Sequence, residues 1–202
     1  MKLYYTPGAC SLSVHIALRE SGHPFELEKV DLKTKRTEKG EDYLRVNPKG
    51  YVPALQLDDG TVLTEANVCV QYVADLAPQS DLAPIAGTME RYRLMEWMAF
   101  TSTEIHKNFS PLFDPTASSE LQQRQKKLLE KRFDYVSEHL SGRSGLMGDK
   151  FTAADAYLFT VLRWANVVKV DLGRWPALQA YLKRTAARPA VREALKAEGL
   201  ES

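Results

Sequence analysis

Lys2-Leu3-Tyr4-Tyr5-Thr6-Pro7-Gly8-Ala9-Cys10-Ser11 opens the chain with a β-prone run, a proline-glycine stop, and a cysteine where a helical pattern begins. Lys2 to Tyr5 reads as a short strand. Ser11 to Ser21 reads as a helix, because Leu12 and Ile16, like Val14 and Leu18, are four apart, and Gly22 is placed as a C-terminal cap. Phe25 to Leu32 is a second strand. Further on, Val52 to Leu57, Asp58-Asp59-Gly60 and Thr61 to Thr64 read as a hairpin, since Asp-Gly tolerates the positive φ angles of a tight turn. Glu65 to Leu76 reads as a helix. The order is βαβ, an irregular segment, then ββα. A parallel pair followed by an antiparallel hairpin is a thioredoxin-like arrangement.

Pro78, Pro84 and Gly87 punctuate a polar, non-periodic stretch. This divides the chain into an α/β domain over 1–77, a linker over 78–87 and an all-helical domain over 88–202. Thr88 to Phe113, Ser118 to Leu140, Thr152 to Val168 and Pro176 to Ala187 read as helices, with a short one after Pro189. Thr152-Ala153-Ala154-Asp155 has the spacing of a capping box, in which each end satisfies a backbone N–H of the other. That box is structural, not catalytic.

The chain has 202 residues, 44% of them hydrophobic, and a formal net charge of +1. The length is ample for a buried core. The near-neutral charge supplies no field to draw in nucleic acid or an anionic membrane. The densest basic run, Lys33 to Lys39, is broken by two threonines and a glutamate and reads as a solvated face. No window reaches the roughly 18–20 apolar residues of a membrane-spanning helix, and Pro7-Gly8 leaves no room for a signal peptide's apolar stretch. Cys10 and Cys69 match no zinc or CxxC spacing, so no metal is expected and a cytoplasmic protein with free thiols fits best.

Cys10 carries the chemistry. A helix N-terminus presents unpaired N–H groups and about half a positive charge, and it can lower a thiol pKa from about 8.5 to about 3.5–7.5. The alternative is a small buried cysteine; the small neighbours Pro7, Gly8, Ala9 and Ser11, which leave space for a ligand, favour the reactive reading. Cys69, between Val68 and Val70, reads as core. Tyr5 ends the strand beside the same helix start, where its hydroxyl can donate to a sulfur anion or simply pack.

Three further places suit a peptide ligand. If the Val52–Pro53 bond is cis, the Val52 backbone can point outward and pair with an extended peptide. Glu65 and Ala66 begin a helix whose N–H groups suit a carboxylate, while the Glu65 carboxylate suits an ammonium group; an ordinary cap at Thr64 is the alternative. Lys35 can meet a carboxylate or stay solvated. In the second half Thr103, His106 and Lys107 share one helix face, with Glu104 on the next. Taken alone, these four are ordinary surface polarity.

The motifs Tyr5-Thr6-Pro7-Gly8-Ala9-Cys10-Ser11, Asn47-Pro48-Lys49-Gly50-Tyr51-Val52-Pro53-Ala54-Leu55, Leu63-Thr64-Glu65 and Phe151-Thr152-Ala153-Ala154-Asp155 occur in the order found in glutathione S-transferases. The likeness spans essentially the whole chain. The cysteine-containing start, together with Thr103-Glu104-Ile105-His106-Lys107, resembles the bacterial beta class. The resemblance implies a thioredoxin-like glutathione domain, a helical domain for the second substrate, and a homodimer with its sites near the subunit interface. It further implies that Val52, before a cis Pro53, pairs with the cysteinyl backbone of glutathione, that Glu65 and Ala66 hold its γ-glutamyl end, and that Lys35 approaches its glycyl carboxylate. Thr103 and Glu104 would contribute from the helical domain, across the dimer, and His106 and Lys107 would stand near the sulfur. Cysteine in this class can form a mixed disulfide with glutathione. Ala66 and Ala99 depart from the Ser or Gly and the Asn that relatives carry, each a loss of about 0.5–1.5 kcal/mol of hydrogen bonding.

The expected function is therefore transfer of glutathione to small hydrophobic electrophiles in detoxification, with thiol–disulfide exchange at Cys10. A non-enzymatic ligand-binding or regulatory module of the same fold, and a glutathione-dependent reductive dehalogenase or isomerase, are the alternatives.

Overall fold

Strand β1 (Lys2–Tyr5) lies at the centre of a five-stranded sheet of order β3-β2-β1-β4-β5. In this computed structural model, which describes residues 1–201, helix α1 (Ser11–Ser21) carries the chain from β1 to the parallel strand β2 (Glu26–Asp31). The hairpin of β4 (Ala54–Gln56) and β5 (Val62–Thr64) adds antiparallel on the other side, with Leu3 opposite Leu55 and Leu55 opposite Leu63. Its turn closes through Leu57 N–H to Thr61 C=O (2.8 Å), with Gly60 at φ +86°. Helix α2 (Ala66–Leu76) follows and packs with α1. One strand lies outside the sequence expectation: β3 (Arg36–Thr37) pairs antiparallel with β2, and two residues are too few to display a period.

Alternation along the strands sorts the core. Tyr4, Val30, Tyr43, Val52 and Ala54 form one buried cluster. Leu3 and Leu55, one residue off in each strand, turn to the opposite face, where α1 packs. Helix α1 stops where expected, at Gly22 with φ +71°.

The chain forms two compact units: residues 1–83 with the C-terminal segment from Ala187, and Pro84–Ala186. The second unit holds α3 (Met89–Phe100), a π-helical turn (Thr101–His106), α4 (Lys107–Phe113), α5 (Ser119–Leu140), α6 (Ala153–Leu162), α7 (Trp164–Val167) and α8 (Pro176–Ala186). Every residue of α6 is buried, as befits a helix apolar on all sides. At its start Thr152 N–H and hydroxyl both donate to Asp155 Oδ2 (2.9 and 2.8 Å), while Leu146 N–H and the Tyr181 hydroxyl reach Asp155 Oδ1 (2.8 and 3.3 Å).

Helix α9 (Pro189–Ala197) differs from the sequence division, which left it with the helical half. It belongs to the first unit and packs on α1. Arg188 grips Glu20 through two bonds (2.7 and 3.0 Å), and Arg19 meets Glu193 (2.9 Å). Among the described residues, no helix is long and apolar enough to cross a membrane.

Candidate active site

Cys10 holds the cap position of α1, with φ −60° and ψ −18°. The turn before it is wound tightly: Ala9 N–H reaches Thr6 C=O, and Leu12 N–H reaches Ala9 C=O, both at 3.0 Å. Gly8 adopts φ +73°, a conformation that costs a side chain free energy. Its N–H donates to Glu198 Oε2 (2.9 Å) from the far end of the chain. The other oxygen of Glu198 meets His15 Nδ1 (2.9 Å), and Arg19 Nε donates to His15 Nε2 (2.9 Å). Because Arg19 can only donate, Nε2 is the acceptor and Nδ1 carries the proton toward Glu198. A relay from α1 to the end of α9, fully buried at its His15–Glu198 pair, thus clamps the loop that presents the thiol. The sequence holds no local signal for it, since its partners are 183 residues apart.

The thiol itself departs from expectation. Its side chain is half-buried, and Sγ donates to Val52 C=O at 3.1 Å, an arrangement that favours the protonated form. Burial pushes the Cys10 thiol up to about 12, with the backbone N–H groups of Cys10 and Ser11 pulling only partly against it and the Glu65 carboxylate adding to the rise. The helix-start donors are present, but in the free protein desolvation outweighs them. Cys69 is fully buried, and burial pushes it to about 12 as well, in keeping with the core reading.

The Val52–Pro53 bond is cis. The loop leading to it is fastened from below: Tyr43 hydroxyl and Asn47 Nδ2 both donate to Tyr51 C=O (2.6 and 2.7 Å), and Lys35 Nζ donates to Gly50 C=O (2.9 Å). Lys35 therefore braces this loop, with its ammonium 5.9 Å from the Tyr51 ring centroid. Tyr43 and Asn47 are site-building residues that sequence reasoning passed over, although Asn-Pro-Lys-Gly is a turn signal.

Glu65 caps α2 with φ +70° and ψ 119°, a region few non-glycine residues occupy, and its side chain is exposed. Strain of this kind costs on the order of 1–3 kcal/mol and clusters at binding sites. It turns the carboxylate away from the helix it precedes, and Lys49 Nζ meets it at 2.6 Å. Thr64 is the last residue of β5, and the cap position of α2 falls on Glu65 instead of the alternative, Thr64. Ala66 is buried directly behind it. In the first unit the structure thus brings Cys10 and Val52 into contact and sets Glu65 close enough to bear on the thiol. Tyr5 is elsewhere in the network: it is buried, 6.4 Å from the His15 ring, and no hydrogen bond joins it to Cys10 among the described residues.

In the second unit Thr103, Glu104 and His106 lie on the π-helical turn, with Lys107 just after it. Such turns widen a helix locally and re-aim its side chains. Thr103 and Lys107 are exposed. Thr103 hydroxyl is turned onto Ala99 C=O (3.1 Å), and Glu104 is gripped by Arg132 at 2.6 Å. His106 Nδ1 meets the Tyr157 hydroxyl at 2.7 Å, and its ring stands edge-on to Trp164 with centroids 4.7 Å apart. Trp164 also packs against Phe109 and Phe113, so aromatic surface gathers around His106. Tyr157 and Trp164 escaped sequence reasoning, because buried packing aromatics look alike in a sequence.

Residues 8–76 match the family described as "Glutathione S-transferase, N-terminal domain", and residues 100–189 match "Glutathione S-transferase, C-terminal domain". The chain is 51% identical over 201 residues to glutathione S-transferase GstA of Escherichia coli O157:H7, covering 100% of both. It is 48% identical to a sphingomonad glutathione S-transferase whose structure is complexed with glutathione, covering 100% of both chains at a TM-score of 0.96. A bacterial beta class glutathione S-transferase of Sphingomonas chungbukensis is 46% identical, with the same coverage and the same TM-score of 0.96.

Proposed function

The chain belongs to the glutathione S-transferases, in the bacterial beta class, and on that footing we propose that it joins glutathione to small hydrophobic electrophiles and exchanges disulfides at Cys10. The observation that carries the proposal is the cluster of Cys10, the Val52 backbone beside a cis proline, and a strained, exposed Glu65. The sphingomonad glutathione S-transferase, 48% identical to this chain, is complexed with glutathione in its structure. In this chain the Val52 backbone would pair with the cysteinyl residue, Glu65 and the Ala66 N–H would take the γ-glutamyl end, and Lys35, freed from Gly50, would approach the glycyl carboxylate.

In conjugation the glutathione sulfur, its proton lost to solvent, attacks the electrophilic carbon. The carbon–sulfur bond forms, and the leaving group departs with the electrons of its own bond. A protonated Cys10 suits this step as a hydrogen-bond donor to the anionic sulfur, not as its rival. His106 and Lys107 would add donors and positive charge, and the exposed Phe113 ring would offer apolar surface to the electrophile. In exchange, the Cys10 sulfur attacks a glutathionyl disulfide; one sulfur–sulfur bond forms as another breaks, and the Cys10 proton ends on the released thiol. The reading includes detoxification as the role, the cytoplasm as the place and a homodimer as the assembly. An exposed apolar face on α3, formed by Met89, Tyr92 and Met95, supports the homodimer.

Cys10→Ala separates the two chemistries. Conjugation of glutathione to an aromatic chloride should persist within about tenfold, the worth of one hydrogen bond, while reduction of a glutathionyl disulfide should vanish. If both survive, Cys10 has no redox role; if the wild-type chain binds glutathione but turns over neither substrate, it is a binding module.

A further inference from the structure

We propose that Tyr157 is the positioning residue for His106, holding its ring in one orientation with the proton on Nε2. Tyr157 is only 2% exposed, on the fully buried helix α6, two residues past the Asp155 hub that anchors the helix start. Its hydroxyl lies 2.7 Å from His106 Nδ1. A phenol O–H is a stronger acid than a neutral imidazole N–H, and imidazole nitrogen is the stronger base, so the bond runs from the hydroxyl to Nδ1. The neutral ring then carries its hydrogen on Nε2.

Two further observations fix the orientation. Trp164 stands edge-on to the His106 ring at 76°, which blocks rotation on one side, and the Tyr157 ring meets it at 81° from another direction. The π-helical turn supplies the backbone offset that lets residue 106 reach both rings. A histidine whose donor nitrogen is chosen by a buried partner is suited to give a hydrogen bond without first flipping or exchanging tautomers. The consequence for transfer rests on the proposal that His106 serves the reacting sulfur. The orientation and tautomer do not.

The test uses the full chain labelled with ¹⁵N at histidine, with the His106 signals assigned by their loss in His106→Gln. At neutral pH the wild-type Nδ1 should resonate as an acceptor nitrogen and Nε2 as an N–H. In Tyr157→Phe, which keeps the ring and loses only the hydroxyl, both signals should move toward values averaged between tautomers. A wild-type ring protonated on Nδ1, or signals unmoved in Tyr157→Phe, would overturn the inference. In steady state, Tyr157→Phe should lower kcat for conjugation about tenfold with the KM for glutathione unchanged. The same substitution in a His106→Ala background should have no further effect. An equal loss in both backgrounds means that Tyr157 acts through something other than His106. If His106→Ala alone retains wild-type kcat, the role of His106 in transfer fails, while the ¹⁵N signals still decide what Tyr157 does.

Discussion

At Cys10 two opposing effects act on one sulfur. The backbone N–H groups at the start of α1 favour the anion; burial and the nearby Glu65 carboxylate oppose it, and the thiol gives its proton to Val52 C=O. The opposition wins, so the ligand-free protein should react slowly with iodoacetamide at pH 7, more slowly than free cysteine at its ordinary pKa of about 8.5. Because the folded-state pKa is raised above that of the unfolded chain, the protonated thiol favours the fold below about pH 8.5. That contribution is lost as pH rises from there toward 12. The alkylation rate should accordingly keep climbing beyond pH 9. A plateau near pH 6–7, seen by following alkylation against pH with Cys10→Ala as the blank, would contradict this.

Helices show what local sequence can and cannot carry. The limits of α1 were legible because Gly22 supplies a left-handed cap, and the capping box at Thr152 and Asp155 was legible because its partners are three residues apart. The hairpin was legible from Asp-Gly. The strained turn at Glu65 was not, because its conformation follows from the strand before it and the Lys49 pairing, neither of which alters the local pattern. Nor was the π-helical turn, since one extra residue in a helix leaves its amphipathic stripe nearly intact. At α6 the consequences can be measured by urea unfolding. Thr152→Ala should cost about 0.5–2 kcal/mol, the worth of a cap. Asp155→Ala should cost more, about 2–4 kcal/mol, because it strands the Leu146 and Thr152 N–H groups in the interior, although the Tyr181 hydroxyl keeps its bond to the backbone C=O at position 155 (2.9 Å). Equal effects from the two would show that Asp155 is not the hub.

Across the chain, the punctuation between residues 78 and 87 brackets the change of unit at Pro84, but the return of the C-terminus to the first unit left no local signal. Helix α9 carries a polar face like any surface helix; only the folded first unit reveals that Glu198 closes on His15 and Gly8. Glu198→Ala takes the acceptor from a fully buried imidazole N–H, and should destabilise the first unit by about 3 kcal/mol in urea. A change below about 0.5 kcal/mol would mean that the clamp is incidental. The proposed function requires the first unit to accept a γ-linked tripeptide beside Cys10, Val52 and Glu65. Titration calorimetry of glutathione into the wild-type chain and into Glu65→Gln tests this most directly. One tripeptide per chain is expected, with affinity lowered about 10- to 100-fold in the variant, as loss of a hydrogen bond between charged groups implies. No heat of binding in the wild-type chain, or equal affinity in both, would contradict it.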